Sequence, residues 1–221
     1  MTQKLTVLFD LDGTLIDTAP DLIRAHNHVM KKFGYPTKTL GELKNAVGRG
    51  AKAMMAKANG QWKWFDEKIQ NEMTNEFLSY YGENIFHESK LINGVKEFLN
   101  WCKRENISMA VCTNKTEHLA VDLLKKIGIY DYFEYVAGYN TFEYCKPDPR
   151  HLTTIIEILD GDINKSLMIG DSETDANAAK AAEIPIILLK YGYTEKKSSE
   201  IYHNHLVKDF VGIEKIITEY L

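Results

Sequence analysis

The segment Val7-Leu8-Phe9-Asp10-Leu11-Asp12-Gly13-Thr14 constrains this chain more than any other, because an apolar run stops on two carboxylates and a Gly-Thr turn. In extended backbone, side chains at i and i+2 share a face, so Asp10 and Asp12 can act on one reacting group. At average residue usage, the four specified letters of Asp-x-Asp-Gly-Thr coincide by chance only about once in ~10⁵ positions. A buried strand that delivers paired carboxylates to its end is the expectation.

Further β-rich apolar runs follow at Ile107 to Cys112, Phe133 to Ala137, Leu167 to Ile169 and Ile184 to Leu189, and the first run itself begins at Leu5. Near-continuous apolar strands separated by helical patterns predict a parallel sheet covered on both faces. The spacing predicts a helix over Lys115 to Ile127, closed by Gly128, and another opened by Pro149. One connection does not fit this scheme. Roughly 95 residues separate the first two long strands, whereas a crossover needs about a dozen or more. Pro20 opens a helical stripe of Leu22, Ile23, Val29, Met30 and Phe33 that stops at Gly34. Ile69, Met73, Phe77 and Tyr80 mark a second stripe before Gly82. The expectation is a doubly wound α/β core over residues 1–17 and 89–221, with an inserted all-helical cap over 18–88.

Three more short motifs stand in order along the core. They are Val111-Cys112-Thr113-Asn114, Cys145-Lys146-Pro147-Asp148-Pro149 and Gly170-Asp171-Ser172-Glu173-Thr174-Asp175. Asp10, Thr113 and Asp171 each fall just past a strand end, where open parallel sheets place their ligands. Carboxylates with no His or Cys among them suit a hard cation such as Mg²⁺.

Together the four motifs resemble the signature of the haloacid-dehalogenase superfamily. The resemblance implies a Rossmann-like core of that type. It also implies Mg²⁺ held by the Asp10 side chain, the Asp12 backbone carbonyl and the Asp171 side chain, with Asp175 in an outer shell that orients Asp171 or waters. Asp10 would attack phosphorus to give an aspartyl-phosphate, and Asp12 would protonate the leaving alkoxide and then activate water. Thr113 with the amides of Asn114 and Lys115 would bind phosphoryl oxygens at a helix N-terminus, and Lys146 would hold Asp10 ionised. A dehalogenase needs no proton donor, so the second Asp favours phosphoryl transfer.

Val47-Gly48-Arg49-Gly50-Ala51, Thr113-Asn114-Lys115, Asn140-Thr141-Phe142 and Tyr191-Gly192-Tyr193 extend the likeness to the phosphoglycolate phosphatases. That likeness implies a small phosphate ester as substrate, 2-phosphoglycolate first, with Arg49 on its carboxylate. Asn140, where an Asp is usual, and Cys145, where a basic residue is frequent, depart from the pattern. The alternatives are a phosphatase acting on a nucleotide, sugar phosphate or pyrophosphate, a β-phosphoglucomutase-like phosphosugar mutase, and a non-catalytic binding module.

A net charge of −4 and a pI near 6.0 give no basic footprint for nucleic acid. No apolar run reaches the ~18 residues of a membrane span, and no leader pattern opens the chain. A cytoplasmic monomer or homodimer is expected. Cys102, Cys112 and Cys145 form no Cys-x-x-Cys pair and are expected to be reduced and structural. Trp62, Trp64 and Phe65 are expected in cap packing, His26 and His28 at the surface, and His203 to His205 in a loop.

Overall fold

A computed structural model describes residues 4–43, 46–47, 50–56, 66–194 and 196–220. In chain order the elements are β1 (Thr6–Phe9), β2 (Ile16–Asp17), α1 (Ala19–Lys32), α2 (Leu40–Leu43), α3 (Ala51–Ala56), α4 (Glu67–Glu83), β3 (Lys90–Leu91), α5 (Val95–Arg104), β4 (Ser108–Cys112) and α6 (Glu117–Ile127). They continue with β5 (Tyr135–Ala137), α7 (Arg150–Ile158), β6 (Ser166–Gly170), α8 (Glu173–Ala181), β7 (Ile186–Leu189), β8 (His205–Val207) and α9 (Glu214–Ile217).

Six strands form one parallel sheet in the order β5-β4-β1-β6-β7-β8. The apolar β1 lies inside it, with Phe9 level with Val111 on one side and Ile169 on the other. Alternation along β1 splits the core in two, as the period of a strand requires. Val7 and Phe9 pack with Phe98 and Leu99 of α5 and Leu119 and Leu123 of α6. Leu8 faces the opposite side, with Leu152 and Ile155 of α7 and the alanines of α8. The sheet is therefore doubly wound. Because β1, β4 and β6 end side by side, the segments after Phe9, Cys112 and Gly170 meet at one edge.

Between β2 and β3 every described element is a helix, which gives the fold its inserted helical cap. β2 and β3 pair antiparallel, Ile16 with Leu91 and Asp17 with Lys90, so the chain enters and leaves the insert along one ribbon. Asp21 closes this neck. Its buried carboxylate accepts from the amides of His87, Glu88 and Ser89 at about 3.0 Å and from Ser89 Oγ at 2.6 Å. Burial alone would raise the Asp21 pKa, and the donors from 87–89 outweigh it and lower the value. A depressed carboxylate adds stability that is complete above its unfolded value of about 3.9 and is lost as pH falls through the folded value. Asp21→Ala should therefore cost about 2–4 kcal/mol at pH 7, from three orphaned amides and the lost charged hydrogen bonds. Thermal unfolding should show a Tm lowered by roughly 5–15 °C. A Tm within 2 °C of wild type would refute this role.

The structure alters several expectations. β5 begins at Tyr135 rather than Phe133, and α6 begins at Glu117 rather than Lys115. His205 opens the edge strand β8, where a loop was expected, and Asn204 exchanges both its amide and its side-chain oxygen with Ile186. Three residues are too few for a strand period to declare itself. His26 is fully buried rather than at the surface, and burial lowers its pKa, so it is neutral. The reason is tertiary: Asn27 beside it holds both the amide and the carbonyl of Lys38, folding the chain after α1 back over that face. His28 is half-buried and stacks on Tyr80. All three cysteines are free thiols, Cys102 and Cys112 buried. Trp62, Trp64 and Phe65 lie outside the described residues.

Candidate active site

The ends of β1, β4 and β6, joined by the loop before α7, bring together Asp10, Asp12, Thr113, Lys115, Lys146, Asp171 and Asp175, all buried. Gly13 makes the first of these turns possible. Its φ of +85° suits glycine, and a methyl there would lie 2.5 Å from Asp171 Oδ2.

Carboxyl oxygens of Asp10, Asp171 and Asp175 lie within 4.8 Å of one another. Lys146 Nζ stands between two of them, 2.9 Å from Asp10 Oδ1 and 2.6 Å from Asp175 Oδ1. The Lys146 backbone is pinned as well, since its amide donates to His151 Nδ1 at 3.2 Å and its carbonyl accepts from Asn114 Nδ2 at 2.8 Å. Asp171 is oriented by Thr14 Oγ1 at 2.8 Å and the Tyr193 amide at 2.7 Å. Asp175 Oδ2 caps α8, accepting from the amides of Asp171 and Ser172 and from Ser172 Oγ. Asp175 thus spends its oxygens on Lys146 and the helix end.

Charge does not balance in this group. Burial first, and the Asp175 carboxylate next, push the Asp10 carboxyl up to about 7 against the pull of Lys146. Burial with Asp175 and Asp10 raises Asp171 well above the usual carboxylate range. Burial works against the Lys146 ammonium too, but Asp10 and Asp175 outweigh it and keep it charged. Of the three carboxylates the one ammonium reaches only Asp10 and Asp175, and every carboxylate donor is a hard oxygen. The residues fit a divalent cation of the Mg²⁺ kind.

The Asp12 side chain is not part of that group. It turns instead to Lys115 Nζ, at 2.9 and 3.0 Å from its two oxygens, and to Thr18 Oγ1 at 2.7 Å. The Lys115 side chain is the partner that sequence reasoning missed, having assigned only its amide. That amide donates to Thr113 Oγ1 at 3.2 Å, and Lys115 lies ahead of Thr116, the N-cap of α6. Thr18 and Tyr81 were missed as well, and no local pattern marks them. Asn114 Oδ1 and Thr116 Oγ1 are buried without hydrogen-bond partners among the described residues. Beside Asp12 and Lys115 a cavity of about 290 Å³ opens between insert and core, walled by Leu22, Met54, Phe77 and Leu119. Arg49 lies outside the described residues.

A family model described as haloacid dehalogenase-like hydrolase matches residues 7–189. A phosphoglycolate phosphatase from Mesorhizobium japonicum is 35% identical over 216 residues, 97% of this chain and 95% of the relative. One from Agrobacterium fabrum is 37% identical over 215 residues, 97% of this chain and 92% of the relative. Among solved structures, a predicted phosphoglycolate phosphatase from Haemophilus somnus superimposes with a TM-score of 0.91 at 29% identity, covering 98% of this chain and 99% of that one.

Proposed function

Because the chain belongs to the haloacid dehalogenase-like hydrolase family and is a phosphatase, we propose that it hydrolyses a small phosphate monoester, 2-phosphoglycolate first, through an aspartyl-phosphate on Asp10 with Mg²⁺ as cofactor. The observation that carries this reading is the juxtaposition of two carboxylates with separate surroundings. Asp10 sits in the Lys146 and Asp175 group, and Asp12 sits on Lys115 and Thr18 beside the cavity. These separate surroundings support Asp10 as the nucleophile and Asp12 as the acid and base. Asp10, the Asp12 carbonyl and Asp171 would hold the metal, with Asp175 behind them. Bound there, Mg²⁺ supplies the positive charge that lets an anionic carboxylate approach a phosphoryl dianion.

Thr113, Lys146 and the backbone amides of Asn114 and Lys115 are proposed to surround the phosphoryl group, while the Lys115 side chain stays on Asp12. A cavity of about 290 Å³ stands at the small end of small-molecule sites and suits a compact leaving group. Residues 18–88 are proposed as the cap over it, and Arg49, set between glycines in sequence, as the contact to the substrate carboxylate. Among the described residues no helix is long and apolar enough to cross a membrane.

Phosphate release tests this reading. Dialysis against EDTA should lower kcat at least roughly 10³-fold, the several kcal/mol such an ion contributes, and Mg²⁺ should restore it. Ca²⁺, less demanding of octahedral geometry, should inhibit. Across phosphoglycolate, nucleotides and sugar phosphates, 2-phosphoglycolate should show the highest kcat/KM. Full turnover in EDTA would sink the metal assignment, and a clear preference for another ester would sink the substrate assignment.

A further inference from the structure

The Asp12 carboxylate is held more tightly than a proton carrier needs for mere burial. Each carboxylate oxygen offers two lone-pair sites. Oδ1 accepts from Thr18 Oγ1 at 2.7 Å and Lys115 Nζ at 2.9 Å, which fills it. Oδ2 accepts only from Lys115 Nζ, at 3.0 Å, among the described residues, and keeps one site open.

Lys115 is itself held from the insert. Its ammonium lies over the ring of Tyr81, 4.5 Å from the centroid, and Tyr81 belongs to α4 and is buried. Among the described residues the Tyr81 hydroxyl has no partner in hydrogen-bonding geometry; it lies near enough to Lys115 to interact with the ammonium, and the ring face is the contact the geometry shows. A buried ammonium on an aromatic face is worth up to about 2 kcal/mol. A long lysine side chain fixed in one rotamer loses up to about 2 kcal/mol of entropy, so its position needs partners on both sides. Asp12 supplies one and Tyr81 the other.

We propose that Lys115 and Tyr81 are positioning residues for Asp12. With Thr18 they occupy Oδ1, leave Oδ2 as the single atom that passes the proton, and tie that atom to the helical insert. The inference rests on the reading of Asp12 as acid and base. In the first step Asp10 attacks phosphorus, the bond from phosphorus to the ester oxygen breaks, and the Oδ2 proton moves to that oxygen. In the second, water attacks the phosphorus of the acyl phosphate, yields its proton to Oδ2, and Asp10 departs as a carboxylate.

Leaving-group dependence separates positioning from simple structural support, since p-nitrophenolate leaves without a proton and an alkoxide does not. The measurement is single-turnover release of the alcohol, with Mg²⁺ present, from p-nitrophenyl phosphate and from the alkyl phosphate the enzyme hydrolyses best. Lys115→Met should slow the alkyl substrate by roughly 10²-fold or more and p-nitrophenyl phosphate by less than ~3-fold. Tyr81→Leu should act in the same selective direction by about 2- to 30-fold, and Tyr81→Phe, which keeps the ring, should lose clearly less than Tyr81→Leu. Tyr81→Leu leaves every charge paired and decides the matter should Lys115→Met fail to fold. Equal losses on both substrates, no loss on either, or Tyr81→Phe as impaired as Tyr81→Leu would each overturn the proposal. Asp12→Asn is the control. If it alone shows the selective loss, positioning fails and the acid and base reading stands; if it shows none, both fall.

Discussion

Asp10→Asn should reduce turnover below about 10⁻⁴ of wild type, the scale on which enzymes lose a covalent nucleophile. An amide cannot form the acyl phosphate, and no neighbour can take its place. Asp171 is committed to Thr14 and the Tyr193 amide, and Asp175 to Lys146 and the cap of α8. Labelled phosphate trapped by acid quench should appear on Asp10 in wild type and nowhere in the variant. Label on another residue, or a rate above 1%, would overturn the assignment. Stability should move the other way in metal-free protein. Asp10 has its folded pKa raised to about 7, chiefly by burial, so its ionisation opposes folding, and that cost is complete above the folded value and vanishes below the unfolded one. Asp10→Asn should therefore unfold at a higher temperature than wild type at pH 8, with the gap closing as pH falls from about 7 towards about 4.

Lys146→Met should have the second largest effect, and on folding as well as on rate. The side chain is 1% exposed, with Nζ between Asp10 and Asp175 at 2.9 and 2.6 Å. Methionine fills much the same volume without the charge. Removing one partner of a buried ion pair typically costs about 3–5 kcal/mol, because the other charge is left uncompensated. In a chain of 221 residues the Tm should fall by roughly 6–20 °C. The cause can be isolated, since adding Asp10→Asn removes one of the stranded carboxylates and should recover part of the loss, a coupling readable as a double-mutant cycle. Additive losses, or a Tm within 2 °C of wild type, would show that Lys146 does not neutralise this group.

Much of the core was legible because its signals are local. Alternation and apolar runs follow from the period of a strand, so β1, β4, β6 and β7 stood near their observed positions. The excess length after the first strand was enough to require a helical insert. The short strands β2, β3 and β8 carry too few residues to show a period, and their pairing exists only once the ribbon and sheet edge are assembled. His26 illustrates the same limit. Its helical spacing says which way it points relative to its neighbours, not which face the rest of the chain will cover.

The candidate site divides along the same line. By itself the sequence determined that Asp10 and Asp12 leave a buried strand together, that Asp171 and Asp175 sit four residues apart, and that a lysine precedes Pro147, since each depends only on neighbours in the chain. Tertiary structure alone decided which cation serves which carboxylate. Lys146 reaches Asp10 from 136 residues away because β1 and β6 are adjacent and the loop before α7 folds over them; Lys115 reaches Asp12 across the β1 and β4 pairing. The contact of Tyr81 with Lys115 arises one level later still, from the docking of α4 on the core. Coulombic and hydrogen-bond partners act over a few ångströms, and no periodicity in a sequence records which distant residues the packed sheet brings within that range.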